Sequence, residues 1–126
     1  MKTHTIIAKG GDFLRIEINL SLRRLKLLDL FEGKEIYPVA IGKASTPTPT
    51  GNYHITRKVI NPGGILGSHW LELSIPSNDG PYGIHGTTMP WSIGKATSNG
   101  CIRMYNEDVK KVFDQVSIGT AVMITY

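Results

Sequence analysis

Phe13-Leu14-Arg15-Ile16-Glu17-Ile18-Asn19-Leu20 places Leu14, Ile16, Ile18 and Leu20 at every second position, with Phe13, Arg15, Glu17 and Asn19 between them. Successive side chains of a strand point to opposite faces, so this spacing predicts a strand with one buried face rather than a helix. Leu22, Leu25, Leu27, Leu28, Leu30 and Phe31, interrupted by Arg24, Lys26 and Asp29, predict a second strand with an imperfect pattern. Glu32-Gly33-Lys34 is a hairpin turn signal, and Glu35 to Ile41 returns from it. Pro38 has no backbone N–H to donate, which points to an edge position or a bulge.

The texture then changes. Gly42 to Gly51 holds no core-forming side chain larger than alanine, and Pro47 and Pro49 stiffen it, so it reads as a surface loop. Strand character resumes at Tyr53-His54-Ile55-Thr56, at Trp70 to Ile75 and at Tyr82-Gly83-Ile84-His85, and Asn61-Pro62-Gly63-Gly64 is a turn or loop. One helix is expected. Val109, Val112, Phe113 and Val116 follow i, i+3, i+4, i+7 spacing, Asn106 can cap the start, and Glu107 and Asp108 suit the positive end of the helix dipole. Ala121 to Tyr126 forms a last strand after Gly119-Thr120. Many short strands with one helix predict a mainly β fold in a single domain over residues 1–126.

The 126 residues suit one domain, and 40% hydrophobic against 19% charged residues allow a packed core. No apolar run is long enough to span a membrane. Met1 to Lys9 lacks the apolar stretch of a secretory signal, so no export address is expected. The net charge of +4 suits an anionic surface such as a cell-wall polymer, and also nucleic acid. Its one modest cluster, Arg23, Arg24 and Lys26, reads as the solvent face of a strand, so no nucleic-acid partner is expected.

The chain has one cysteine, Cys101, sixteen positions after His85. A lone thiol forms no internal disulfide. It is either a small buried hydrophobe or, if a histidine reaches it, a nucleophile. A free cysteine titrates at about 8.5 and a histidine at about 6.5, and in contact they can form a thiolate–imidazolium pair. His85 ends a predicted strand and is the chosen base. His4, His54 and His69 read as structural, and one cysteine with scattered histidines lacks a zinc signature, so no metal is expected. Backbone amides around Gly100 and Cys101 suit an oxyanion hole, Arg103 suits a substrate carboxylate or a structural contact, and Tyr82 and Trp91 suit the cleft wall or, for Trp91, the core.

Ile84-His85-Gly86-Thr87 followed by Ser98-Asn99-Gly100-Cys101-Ile102-Arg103-Met104 resembles the active-site signature of the L,D-transpeptidase catalytic domain (YkuD) family. Pro38 to Lys43, Thr48-Pro49-Thr50-Gly51 and Gly119 to Ile124 extend the resemblance over nearly the whole chain. It implies a β-sandwich with one short helix, and a cysteine acyltransferase of peptidoglycan involved in cell wall biogenesis and cell shape. By that resemblance Cys101 attacks the stem-peptide carbonyl, releases D-alanine from a tetrapeptide and forms a thioester. A neighbouring amine then makes a 3→3 cross-link, with His85 carrying the protons. Gly100, Asn99, Ser98, Gly86, Arg103 and Tyr82 are the expected oxyanion and substrate-binding set. No cofactor is implied, the working unit is expected to be a monomer, and the location is the cell wall or periplasm. One departure stands out: the family has Ser-His-Gly-Cys where this chain has Asn99 in place of the second histidine. Asn99 exchanges hydrogen bonds but carries no proton. A carboxypeptidase that uses water as acceptor, or a catalytically impaired peptidoglycan-binding module, are therefore the alternatives, with a basic polyanion-binding domain behind them.

Overall fold

The computed structural model describes residues 13–31 and 33–126. The opening alternation is strand β1 (Leu14–Asn19), with Ile16 and Ile18 essentially solvent-free. It pairs antiparallel with β2 (Arg24–Asp29), which pairs antiparallel with β3 (Gly33–Pro38). Glu32 of the expected hairpin turn, and Met1 to Lys9 with His4, lie outside the described residues. After β4 (Ile41–Gly42) come β5 (Gly51–Ile60), β6 (His69–Leu73), β7 (Gly83–His85), β8 (Ala96–Ser98), β9 (Ile102–Arg103), helix α1 (Asn106–Gln115) and β10 (Ala121–Thr125). Single 3-10 turns lie at Gly64–Leu66 and Pro90–Ser92.

Eight strands form one sheet in the order β3-β2-β1-β10-β5-β6-β7-β9, and β4 pairs with β8. The edge position of β3 accounts for Pro38. Strand β5 is the pivot. Its first residues, Gly51 to His54, pair with β10, and the rest, from Ile55 on, pair with β6 after a register shift between Ile55 and Arg57. A strand that changes partners through such an irregularity lets a sheet curl into two facing halves, a sandwich-like arrangement.

Between those halves lies one core containing Ile16, Ile18, Leu25, Leu27, Ile55, Leu71, Ile84, Ile102 and Met104, with Val109 and Val112 from α1. Burying each of these large side chains contributes roughly 1.5–3 kcal/mol. The expected helix stripe is present, since Val109, Val112, Phe113 and Val116 are all buried. Its start differs from expectation. Tyr105 holds the cap position, and Asn106 is the first helical residue with its carboxamide committed elsewhere. At the other end Lys58 Nζ donates to the carbonyls of Phe113 and Val116, each at 2.7 Å, and so satisfies carbonyls left over at the helix terminus. Among the described residues no helix is long and apolar enough to cross a membrane.

Candidate active site

Strand pairing assembles the site before any loop contributes. In β7 and β9, which run parallel, Ile84 faces Ile102 and His85 faces Arg103. Ile84 and Ile102 point into the core, so period two turns Gly83, His85 and Arg103 to the opposite face. Cys101, one residue before β9, falls level with Gly83. His85 and Cys101 therefore share a face as diagonal neighbours, a backbone spacing of roughly 7–8 Å, with no hydrogen bond between their side chains among the described residues. Antiparallel pairing adds Trp70 opposite His85 and Glu72 opposite Gly83, then Val59 opposite Trp70 and Arg57 opposite Glu72.

The turn before the sulfur is fixed by four hydrogen bonds of the Ser98 and Thr48 hydroxyls. Ser98 Oγ donates to the Cys101 carbonyl at 2.6 Å and accepts the Gly100 N–H at 3.1 Å. Thr48 Oγ1 donates to the Gly100 carbonyl at 2.8 Å and accepts the Gly42 N–H at 3.0 Å. Gly100 has φ +122°, and a Cβ there would lie 2.6 Å from Tyr82 Cε2, so only glycine fits. These contacts correct one expectation. The Gly100 N–H is spent on Ser98, so the amide that reaches the sulfur from outside the turn is that of Gly83.

His85 is buried, and its Nδ1 donates to the Gly86 carbonyl at 2.6 Å. In the neutral ring Nδ1 then carries the hydrogen and Nε2 is the basic nitrogen. Burial pushes the His85 pKa down to about 4; the carbonyls of Gly86 and Leu66 oppose this, and Arg103 reinforces it. Burial also pushes the Cys101 thiol up, with the Gly83 amide and Arg103 pulling back in part. Desolvation penalises both charged forms, so the resting pair is neutral thiol and imidazole rather than the ion pair that spacing alone suggests. Arg103 is bound through its backbone to Ala40, at 2.9 and 3.0 Å, and among the described residues its guanidinium makes no ion pair.

The half-buried sulfur opens on two clefts of about 430 Å³ each. One is walled largely by Val59, Pro62, Leu66, Trp70 and Pro81, with Arg57 and Glu72 at its edge. The other is walled by hydroxyl, amide and carboxylate groups of Ser45, Thr46, Ser77, Asp79 and Asn99, with Tyr82 beside them.

The remaining candidates sort by these contacts. Asn99 is exposed in the polar cleft, and Tyr82 lines it while packing on Gly100. Ser98 lies beneath the turn, nearly solvent-free, and Gly86 holds the His85 ring. Trp91 is neither core nor cleft wall; its side chain is 69% exposed. His69 is buried against Phe113, with ring centroids 4.7 Å apart, and His54 is exposed on β5. Four contributors escaped the sequence reading. Gly83 and Trp70 follow from strand register, which periodicity signals only once the pairing is known. Thr48 sits in a segment with no apolar signal. Asn106 Oδ1 accepts the N–H groups of Ser68 and Thr87, and its Nδ2 donates to the Thr87 carbonyl. Among the described residues no three His, Cys, Asp or Glu side chains converge.

Residues 14–124 match the L,D-transpeptidase catalytic domain family, YkuD. A Bacillus licheniformis protein bearing the name L,D-transpeptidase YkuD is 47% identical over 111 residues, 88% of this chain and 65% of that protein. Its Bacillus subtilis namesake is 52% identical over 88 residues, 70% of this chain and 51% of that protein. The chain thus spans about half to two thirds of the length of these relatives. The NMR structure of the catalytic domain of an Enterococcus faecium L,D-transpeptidase superposes with a TM-score of 0.71 at 22% identity, covering 89% of this chain and 96% of that one. A crystal structure of an L,D-transpeptidase from Mycobacterium tuberculosis gives a TM-score of 0.76 at 18% identity, covering 90% and 58%. With its fold shared by these structures and its sequence matched from β1 to β10, the chain belongs to the L,D-transpeptidase catalytic domain family.

Proposed function

We propose that this chain is an acyltransferase of peptidoglycan stem peptides, with Cys101 as nucleophile and His85 as general base. The observation that carries the reading is the shared strand face of His85 and Cys101, with the sulfur at the junction of two clefts. As Sγ attacks the carbonyl of the third stem residue, His85 Nε2 takes the thiol proton, and a C–S bond forms. The carbonyl oxygen becomes an oxyanion, held by the Gly83 and Cys101 amides. The C–N bond to the terminal D-alanine then breaks, and His85 returns its proton to the leaving nitrogen. The thioester is resolved when an acceptor nitrogen attacks the same carbon, the C–S bond breaks and sulfur departs with the electron pair. An amine acceptor yields a 3→3 cross-link.

A neutral resting pair suits this cycle. The imidazole is free to accept a proton when a substrate arrives, and the carbonyls of Gly86 and Leu66 favour the imidazolium once it forms. Each copy holds both groups, so a monomer suffices, and the substrate puts the work at the cell wall or periplasm. A second reading is hydrolysis, with water as acceptor, favoured by Asn99, which cannot relay a proton where the family has histidine. Intact-mass spectrometry after incubation with a disaccharide-tetrapeptide tests the proposal. A covalent adduct with loss of D-alanine, absent in Cys101→Ala, is expected. A dimeric product marks transfer and a tripeptide product marks hydrolysis. Release of D-alanine by Cys101→Ala at the wild-type rate overturns the reading.

A further inference from the structure

The cations Arg23, Arg24 and Lys26 take no part in the acyl-transfer chemistry, and strand register shows what stands beside them. In β1, β2 and β10 the core takes Ile16, Ile18, Leu25, Leu27, Val122 and Ile124. Period two turns their alternates to the outer face. Across β3, β2, β1 and β10, one outer row reads Lys34-Leu28-Arg15-Ala121, the next Ile36-Lys26-Glu17-Met123, and the third Pro38-Arg24-Asn19-Thr125. Every row carries a cation. The carboxylate in these rows, Glu17, is tied to Arg15 at 2.7 Å. Arg24, Lys26 and Lys34 make no ion pair among the described residues. The nearby acids are turned the other way: Glu35 alternates with Lys34 and accepts the Tyr37 hydroxyl, and Asp29 alternates with Leu28. Arg23 is exposed in the turn from β1 to β2, next to Arg24. Arg24 and Lys26, two residues apart on one strand, are separated by about 7 Å, so their fields add.

We propose that this outer sheet face binds a linear polyol phosphate, an extended polyanion whose phosphodiesters meet Arg24, Lys26 and Lys34 in turn. A sheet face that spreads its cations over successive rows suits a long chain touching several rows at once better than a single small anion. Single-stranded nucleic acid binds by stacking its bases on aromatic rings. These rows hold no Phe, Tyr or Trp, only Leu28, Ile36 and Met123 among the cations. The partner that fits is therefore a phosphodiester chain without bases. His85 and Cys101 belong to β7 and the turn into β9, at the far end of the strand order from β3 and β2, so a bound polymer leaves the sulfur open. Holding the protein on an anionic polymer of the wall would raise its effective concentration at neighbouring stem peptides. The choice of a wall polymer rests on the peptidoglycan reading; the anion-binding face does not.

Binding of the intact chain to a fluorescently labelled poly(glycerol phosphate), followed by anisotropy across a salt series, tests the proposal. The wild type should bind, with the logarithm of its affinity falling linearly with that of the salt concentration. Arg24→Gln combined with Lys26→Gln should weaken binding about ten-fold, the scale of two exposed ion pairs, and lower the salt slope by about two. Arg24→Lys with Lys26→Arg should keep both. Lys110→Gln with Lys111→Gln removes the same charge from α1 and should leave binding nearly unchanged. Equal weakening by the two glutamine pairs would mean a response to net charge alone and overturns the proposal, as does a wild type that does not bind. Tighter binding to an oligothymidylate with the same number of phosphates overturns it in favour of nucleic acid. Tighter binding to phosphatidylglycerol vesicles overturns it in favour of a membrane surface. No turnover enters these measurements, so a wild type that forms no acyl adduct sinks the acyl-transfer reading and leaves the anion-binding face standing.

Discussion

The indole of Trp70 stacks on the imidazole of His85, with ring centroids 5.8 Å apart and planes 28° from parallel. The indole also lies across Gly83, where an added Cβ would come within 2.6 Å of it, and its N–H is held by Glu72. The base is thus fixed by a packed aromatic plane as well as by the Gly86 carbonyl. Trp70→Phe keeps a ring against His85 and removes the N–H. It should cost about 1 kcal/mol of stability and slow acylation several-fold, whereas Trp70→Ala should cost about 3–5 kcal/mol. Denaturant unfolding and single-turnover acylation check both. Equal effects from the two variants would mean that ring stacking contributes nothing.

The thiol should alkylate slowly at neutral pH. Burial raises the Cys101 pKa above its ordinary value, so the thiolate fraction is small at pH 7 and grows towards alkaline pH. Iodoacetamide labelling should accelerate by about ten-fold per pH unit through the weakly alkaline range. A fast rate that is flat below pH 7 would indicate a preformed thiolate–imidazolium pair.

Acid should weaken the fold through His85. Its folded pKa of about 4 lies below an unfolded value of about 6.5, so below that pH the unfolded chain binds the proton first. Stability from this group is complete above about pH 6.5 and is lost as pH falls towards 4. The full loss is about 3 kcal/mol, an upper figure for one buried histidine. Urea unfolding of wild type against His85→Gln should show that slope in the first protein and its absence in the second.

Thr48 should matter for stability and for the nucleophile together. Thr48→Val leaves the Gly42 N–H and the Gly100 carbonyl without their hydroxyl partner, at about 1–3 kcal/mol for the pair, and frees the turn that carries Cys101. Thr48→Ser keeps the hydroxyl and should recover most of the acylation rate. If serine fails like valine, the hydroxyl is not what holds the turn.

Those four residues also mark how much the sequence discloses. The alternation from Leu14 to Leu20 and the stripe from Val109 to Val116 are local periodicities, so β1 and the buried face of α1 are legible directly. The motif around Cys101 and His85 identifies the candidate chemistry for the same reason. Trp70 and Gly83 were not legible, because their place depends on which strands become neighbours across long stretches of chain. Thr48 was hidden in a polar loop whose buried residue contacts a segment half the chain away. Asn106 looked like a helix cap because its type and position fit one; a carboxamide that finds three partners elsewhere outweighs a cap. The charge states of His85 and Cys101 are not legible in the motif for a related reason, since burial is a property of the folded molecule.

That carboxamide has a consequence for the ageing of the protein. Asn106 ties the chain before β6 and the chain after β7 to the start of α1, and its nitrogen and oxygen have different jobs. Deamidation would swap the donor for a second oxygen facing the Thr87 carbonyl, so the two accepted N–H bonds stay while the third contact turns repulsive, by a change of barely one mass unit. An Asn106→Asp protein should therefore show a loosened, slower enzyme whose sulfur and imidazole are both chemically intact.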